Sequence, residues 1–363
     1  GDHGAKPDLE KLTQLSVRLQ QARLRRSSKY RNHAFVAACL KHLDSLRYDD
    51  AGTAAKLAAT VAIHLVPKLP GPQPERLALQ CLALGIYGSA RRVKGRYPAA
   101  AAAFRLALEI SRDHQLLKQQ AELLQRASYL LKDFGQFERA LEFLRVALEI
   151  CVDRGSRAGI GKVQVDRGMM LWYLGRFDKV VTVLQQALRH FSDSRHMLPH
   201  TLFTAYQLLV YAFEELGQHR AAQRCLREAV RIPGLERGFY WAELCWLQGS
   251  LAFKHGQVQD AETYLQQARA GLSGAGKPGQ QALVSLDLLD VLLALGKLEA
   301  ACELAKDMAC LLDTFEANPL AEQAIVKLIR PALTGRMTRS LVAEARVALK
   351  LGRTSFQPAP ADH

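Results

Sequence analysis

The segment from Gly271 to Pro278 comes close to a phosphate-binding loop. It reads Gly-Leu-Ser-Gly-Ala-Gly-Lys-Pro. The nucleotide-binding pattern is Gly, four residues, Gly-Lys and then Ser or Thr, in which the lysine and backbone N–H groups hold phosphates and the hydroxyl binds Mg²⁺. Pro278 stands where the hydroxyl is required, and the residues before the segment have a helical rather than a strand pattern. We therefore interpret it as a loop between helices that binds no nucleotide.

Three histidines lie close together in the sequence around Asp193. They are His190, His196 and His200, and the last two are four residues apart. Two imidazoles one helical turn apart can chelate a metal, but a site needs a third ligand, and the chain has no His-Glu-x-x-His pattern. We interpret them as exposed histidines of a loop and a helix start, and we predict no metal site.

Asp287 and Asp290 are three residues apart and would share one helical face. Paired carboxylates imply acid–base catalysis only in a cleft with a complementary acid or nucleophile. No set of nucleophile, base and orienting residue is visible, so the chain is predicted not to be an enzyme and to need no cofactor.

The seven cysteines are widely spaced within helical patterns and include no Cys-x-x-Cys pair. An odd number at such spacing is typical of reduced core thiols, and a redox switch or thiolate metal site is the less favoured alternative. The cysteines are Cys39, Cys81, Cys151, Cys225, Cys245, Cys302 and Cys310.

The elements that position these residues follow a repeat. Six glycines recur at steps of 40, 40, 42, 39 and 40 residues: Gly95, Gly135, Gly175, Gly217, Gly256 and Gly296. Five residues after each glycine stands a small or slim apolar residue, nine after it a bulky one in five units, and twelve after it an alanine in five units. Those offsets fall on one face of a helix.

Small residues also stand seven positions before the glycine in four units, at Gly88, Ser128, Gly168 and Gly249. A residue without bulk there lets a second helix cross closely. Each unit is therefore predicted to be a helix, a tight turn and an antiparallel helix, stacked so that neighbouring units supply the core.

With small residues at these offsets and Gly-x-Tyr or Gly-x-Phe at the turn, the unit resembles the tetratricopeptide repeat over about residues 75–315. The period near 40 exceeds that family's usual ~34, so longer helices and loops are expected, as in arrays of bacterial signalling proteins and transcription regulators. The resemblance implies an all-α, right-handed α-solenoid of about seven helix-turn-helix repeats with N- and C-terminal helical caps.

The pattern divides the chain into five parts. We predict an N-terminal helical segment at 1–45, a degenerate repeat with a Pro-rich connection at 46–74, six repeats at 75–315, a C-terminal helical cap at 316–352 and a disordered tail at 353–363. Gly1 in place of Met suggests a cut or engineered start, which leaves open an attached domain upstream.

Composition indicates a helix-rich protein. Its 363 residues are 49% hydrophobic but only 7% aromatic, and the formal net charge is +14. No apolar run approaches the roughly 18 residues that span a bilayer, and the first residues lack the basic and apolar parts of a signal peptide. We expect a cytoplasmic protein that does not bind membranes.

The resemblance also implies that the first helix of each unit lines a concave groove. Aromatic side chains there would be binding hot spots, and Arg or Lys would fix a carboxylate or backbone group. The alternative is that several of these residues only pack between long neighbouring helices. Counting back from the turn glycines selects Arg92, Tyr129, Lys132, Lys162, Met169, Trp172, Tyr173, Gln207, Tyr211, Trp246, Phe253, Asp287 and Asp290.

Basic residues cluster near the N-terminus and the first regular turn. Such faces attract anionic partners, whether an acidic protein, RNA or DNA, although no recognised nucleic-acid module is present. The cluster comprises Arg18, Arg23, Arg25, Arg26, Lys29, Arg31, Arg91, Lys94 and Arg96.

These observations favour a non-catalytic interaction scaffold or regulatory subunit that binds a peptide, helix or partner domain, preferably acidic, in the groove. One alternative is a nucleic-acid-associated subunit of a larger complex that uses the Arg-rich surfaces. Another is the sensor module of a longer effector.

Overall fold

A computed structural model of the chain describes residues 5–46, 50–192, 199–275, 278–309, 328, 331–332 and 334–354. Every regular element among them is helical. The chain divides into two compact units, one of residues 1–132 and 136–170, the other of residues 133–135 and 171–363.

The first unit begins with shorter helices and continues with long helix pairs. Its helices are α1 Ala5–Thr13, α2 Val17–Arg26, α3 His33–Leu46, α4 Ala51–Thr60, α5 Gln73–Val93, α6 Tyr97–Asp113, α7 Leu117–Asp133, α8 Phe137–Asp153 and α9 Arg157–Tyr173, whose residues from Leu171 onward are assigned to the second unit. Leu24, Phe35, Leu40, Leu65 and Ile86 are among the residues of its N-terminal core.

The second unit continues the pairs. Its helices are α10 Phe177–Ser192, α11 Pro199–Glu215, α12 His219–Val230, α13 Gly238–Lys254, α14 Val258–Gly274, α15 Pro278–Ala294, α16 Leu298–Ala309 and α17 Arg339–Thr354. Among the described residues, no helix is both long and apolar enough to cross a membrane.

Two predicted loops are shorter than the sequence suggested. The Pro-rich connection ends at α5, which begins at Gln73, because proline fits the first turn of a helix, where its missing N–H is not needed. The segment that resembles a phosphate-binding loop is helical from Gly271 to Gly274, since Leu272 is fully buried and anchors the last turn of α14. Residues 276–277 and Cys310 lie outside the described residues, as do 355–363 of the predicted tail.

The periodic core is confirmed at its repeated positions. The residues five and twelve positions after the turn glycines are all fully buried: Ala100, Ala140, Val180, Ala222, Ala261, Ala301, Ala107, Ala147, Ala187, Ala229 and Ala268. Four of the five bulky residues at the ninth position are buried as well, whereas Leu226 is only half-buried.

The small residue seven positions before the glycine makes room for the bulky one nine positions after it. A Cβ added to Gly88 would lie 2.9 Å from the Phe104 ring, and one added to Gly249 would lie 2.7 Å from Leu265 Cγ. The two helices of a pair therefore cross at a distance that only a missing side chain allows.

Five described cysteines are buried, namely Cys39, Cys81, Cys151, Cys245 and Cys302, and Cys225 is half-buried; all six are free thiols. Burial raises the pKa of the Cys39 thiol to about 12. A protonated thiol is a poor nucleophile and a poor metal ligand. The five buried cysteines are core residues, as predicted.

Replacing Gly249 with alanine tests the close helix crossing. We expect Gly249→Ala to lower the free energy of unfolding by about 1–2 kcal/mol, because overpacking outweighs the gain in helix propensity. The control is Gly274→Ala, where an added Cβ meets nothing within 4 Å, and which should be neutral or stabilising by up to about 1 kcal/mol. Urea denaturation measures both, and a stabilised Gly249→Ala variant would contradict the packing argument.

Candidate functional site

The candidate site is the set of predicted groove residues. Every one of them lies in a first helix of a pair, that is, in α5, α7, α9, α11, α13 or α15. We call this set the first-helix row and describe it separately in each unit.

In the first unit, the row surrounds a buried carboxylate that is not one of its members. Asp166 of α9 is 3% exposed; it accepts a hydrogen bond of 2.5 Å from the Tyr129 hydroxyl and one of 3.0 Å from Gln125 Nε2, both of α7. Burial raises the pKa of Asp166 to about 6, while the nearby positive charge of Lys162 and the two hydrogen bonds act in the opposite direction. The row therefore joins α7 to α9 through a polar network.

The other row residues of this unit surround that network. The Arg92 guanidinium lies over the Tyr129 ring, 5.7 Å from its centroid, which is a cation–π distance. Lys162 is exposed, whereas Lys132 is half-buried. Met169 packs against the core formed by α7, α8 and α9. Lys162 is thus the one charged row residue of this unit that is exposed.

In the second unit, three aromatic rings of the row are in contact. Trp172 and Tyr173 meet edge to face with centroids 5.2 Å apart, and Trp172 lies 6.0 Å from the Tyr211 ring of α11. Tyr173 is 44% exposed. Burial raises the pKa of Tyr211 well above its ordinary value. Trp172 Nε1 is buried and has no hydrogen-bond partner among the described residues. We call these three residues the aromatic cluster.

Further along the second unit, neighbouring first helices are joined by polar pairs. Gln207 Nε2 donates to Glu243 Oε2 at 3.3 Å, and Trp246 Nε1 donates to Asp287 Oδ2 at 2.6 Å. Each of these hydrogen bonds, like the one from Tyr129 to Asp166, joins two residues that are about one repeat apart in the sequence. Several row residues therefore pack between neighbouring first helices, which is the alternative to groove binding that the sequence left open.

The last row residues contact the C-terminal helix α17. Arg346 pairs with Asp287 at 3.0 Å and also with Asp290, and it donates to the Leu286 carbonyl oxygen at 3.3 Å. The Arg339 guanidinium lies over the Phe253 ring at 5.6 Å and 3.7 Å from Asp290. Asp287, Asp290 and Phe253 are thus engaged within the chain, and their role as partner contacts stays a prediction.

The predicted basic surface is largely accessible. Arg18, Arg23, Arg25, Arg26, Lys29, Lys94 and Arg96 are exposed, while Arg31 and Arg91 are half-buried. Lys29 pairs with Asp8 at 2.6 Å, and Arg91 lies 5.0 Å from the Tyr87 ring centroid.

The predicted histidine group is described only in part. His200 stacks on Tyr240 with centroids 5.7 Å apart, and His190 lies in α10. Asp193 and His196 lie outside the described residues.

Sequence reasoning missed the partners that hold the row. These are Gln125, Asp166, Glu243, Arg339 and Arg346. A signal existed for Asp166, which precedes Gly175 by nine residues, as Asp287 precedes Gly296. No comparable signal marks Arg346, because α17 lies outside the periodic region.

Comparison with known proteins agrees with this architecture. Residues 203–233 match the family model described as tetratricopeptide repeat. No curated protein matches the sequence. Among solved structures, the apo form of RapI is 17% identical with a TM-score of 0.54, and the match covers 88% of this chain and 99% of that one.

Two further structures are similar. The quorum sensor NprR from B. thuringiensis, in its apo form, is 10% identical with a TM-score of 0.57, and the match covers 95% of both chains. A Rap protein complexed with Competence and Sporulation Factor is 14% identical with a TM-score of 0.51, and the match covers 86% of this chain and all of that one. The chain is a helical-repeat protein. Residues 203–233 match the tetratricopeptide repeat, as the sequence resemblance predicted, and the helix pairs share the fold of these structures, so the predicted all-α fold is confirmed.

Stability should depend on pH through Asp166. Because its folded pKa lies above the ordinary value, the protonated carboxyl favours the fold at low pH, and this contribution is lost as the pH rises through about 6. Between pH 5 and 7.5 the loss amounts to about 1.4 kcal/mol. We expect Asp166→Asn to remove it and Asp113→Asn, at an exposed carboxylate of the same unit, to keep it. Urea denaturation at both pH values measures the difference, and identical pH dependence in Asp166→Asn and wild type would contradict the assignment.

Arg346 should contribute to stability through its two carboxylates. The Asp290 side chain is 10% exposed, so Arg346→Ala leaves a nearly buried charge without its closest cation, and we expect a loss of about 2–3 kcal/mol. Arg231→Ala, which breaks a pair whose arginine is 72% exposed, should cost no more than about 0.5 kcal/mol. Chemical denaturation compares the two, and equal effects would mean that α17 does not depend on this contact.

Proposed function

We propose that this chain is a non-catalytic interaction module that binds a peptide or helix of a partner protein on the first-helix row, and that the aromatic cluster is the anchor of that surface. The single observation that carries the proposal is the packing of Trp172, Tyr173 and Tyr211 with Tyr173 accessible. Aromatic residues dominate binding energy because they bury a large area with few rotatable bonds.

Three further observations support this assignment. The repeat fold offers preformed helix surfaces, which lowers the entropic cost of binding. A Rap protein of the same fold was solved with Competence and Sporulation Factor, and NprR is described as a quorum sensor, so the fold accommodates ligand-dependent regulators. The net charge of +14 favours an acidic partner.

The row is not equally available along its length. Asp287 and Asp290 are bonded within the chain, and the exposed members of the row are Tyr173 in the second unit and Lys162 in the first. We infer that apolar contact with the aromatic cluster provides affinity, and that the basic residues act mainly on the association rate. The cytoplasmic location expected from the sequence stays a prediction.

A second candidate function is binding of nucleic acid by the N-terminal basic surface. The observation that favours it is the exposure of Arg18, Arg23, Arg25 and Arg26, all on α2. Phosphate contacts of this kind weaken steeply with salt, whereas apolar anchoring does not. If the chain is instead the sensor module of a longer effector, the aromatic cluster would anchor the ligand as it anchors a partner in the first proposal.

Capture of partners by the purified chain at low and high salt, with and without nuclease, separates the two functions. We expect a protein partner that resists nuclease and high salt. Its binding segment, once identified, should bind Tyr173→Ala at least about tenfold more weakly than wild type.

The matched control is Val230→Ala, at a residue 49% exposed on the second helix α12 of the same unit. It should bind like wild type. Equal weakening in both variants would contradict anchoring at the aromatic cluster, and recovery of nuclease-sensitive nucleic acid alone would favour the basic surface.

A further inference from the structure

Two neighbouring turns of the second unit bring together a carboxylate and two imidazoles. Glu214 is the last residue but one of α11, His219 begins α12, and His255 follows α13. One ligand atom of each residue lies within 4.8 Å of those of the other two. We propose that this cluster is a binding site for a zinc ion, a function separate from partner binding.

The distances suit a tetrahedral ion. His219 Nδ1 lies 3.2 Å from Glu214 Oε1, and His255 Nε2 lies 3.3 Å from the same oxygen. Zinc bonds to nitrogen and oxygen are about 2.0–2.1 Å long, so adjacent ligands of a tetrahedral ion stand about 3.3 Å apart. The two separations between the carboxylate oxygen and the imidazole nitrogens therefore already match, and the ligand nitrogens of the two histidines lie within 4.8 Å of each other.

The burial of the three groups favours a cation. The Glu214 side chain is 2% exposed, whereas those of His255 and His219 are 29% and 53% exposed. The carboxylate is thus held inside, while both imidazoles remain open to an ion arriving from solvent.

A lysine competes for the same carboxylate. Lys254 Nζ lies 3.5 Å from Glu214 Oε2 and 3.6 Å from Glu215 Oε1. Its side chain is 47% exposed and pairs with Oε2, which also lies 3.2 Å from His219 Nδ1. Zinc binding would displace the ammonium toward Glu215, so Lys254 should weaken the site without blocking it.

The ligand set occurs at one place in the array. Its positions are three residues before a turn glycine, two after it and one before the next turn glycine. At the other places the same positions hold aromatic, aliphatic or cationic residues: Arg92, Tyr97 and Phe134; Lys132, Phe137 and Leu174; Trp172, Phe177 and Leu216; Phe253, Val258 and Leu295. Ordinary turn packing therefore does not require a carboxylate and two histidines there.

Two histidines and a carboxylate leave a fourth position of the tetrahedron free for water or a ligand. Such a set suits Zn²⁺ and other late first-row ions better than Mg²⁺, which prefers oxygen ligands. A bound ion would link the turn between α11 and α12 to the end of α13, and would hold two adjacent helix pairs together.

Calorimetric titration of Zn²⁺ into the metal-stripped, tag-free full chain tests the site. We expect saturable binding of one Zn²⁺ per chain, a rise in melting temperature with Zn²⁺ and no comparable effect of Mg²⁺. His219→Phe and His255→Ala should each weaken zinc binding at least about tenfold, since each removes a direct ligand. Lys254→Met should strengthen it about fivefold by removing a nearby positive charge.

The variants carry their own controls. Two other repeats have phenylalanine, Phe137 and Phe177, at the position equivalent to His219. The turn should therefore tolerate His219→Phe, and the melting temperature of this variant in EDTA should equal that of wild type. His114 directly follows α6 as His255 directly follows α13, and His114→Ala should bind zinc like wild type. Absence of zinc binding, or zinc binding that is unchanged in both His219→Phe and His255→Ala, would overturn the proposal.

Discussion

The left-handed glycine after each first helix is the constraint on which the rest of the array depends. At Gly256 φ is +78°, and two backbone bonds close the helix: Gly256 N–H to the Phe253 carbonyl at 3.1 Å and Gln257 N–H to that of Ala252 at 2.8 Å. This pattern reverses the chain and satisfies carbonyl groups that a helix end leaves free. A Cβ there would meet no atom within 4 Å, so the glycine is required by its backbone conformation and not by space.

The fixed turn also fixes which side chains meet. Because the chain always reverses at the same point, the residue seven positions before the glycine faces the one nine positions after it, as Gly249 faces Leu265. The same regularity acts between repeats. Asp166 and Asp287 occupy equivalent positions, and each accepts a hydrogen bond from an aromatic residue of the preceding first helix, Tyr129 and Trp246 respectively. One repeat period thus sets both the apolar core and the polar contacts between first helices.

The period explains why the fold could be predicted from the sequence and parts of the candidate site could not. Helix pairs, turns and buried alanines follow from spacing, and the row residues were placed on the correct helices. Their partners depend on helix rotation and on residues outside the repeats: Arg346 reaches Asp287 and Asp290 from a non-periodic helix. The end of α14 was misplaced because the glycines near Gly274 suggested a loop, whereas burial of Leu272 favours helix there.

A repeat array can acquire a new site by changing residues at positions that the period already brings together. Glu214 and His255 are 41 residues apart in sequence, yet their side chains meet at 3.3 Å because each flanks a turn. The same register places Trp172 against Tyr211. Polar or charged residues at such positions stabilise the array only when each finds a partner, since an unpaired buried charge is costly. The aromatic cluster does not meet this condition, because Trp172 Nε1 is buried without a hydrogen-bond partner among the described residues. Its rings contact one another and Tyr173 is 44% exposed, so the cluster adds accessible aromatic area to the surface where the polar pairs add contacts between helices.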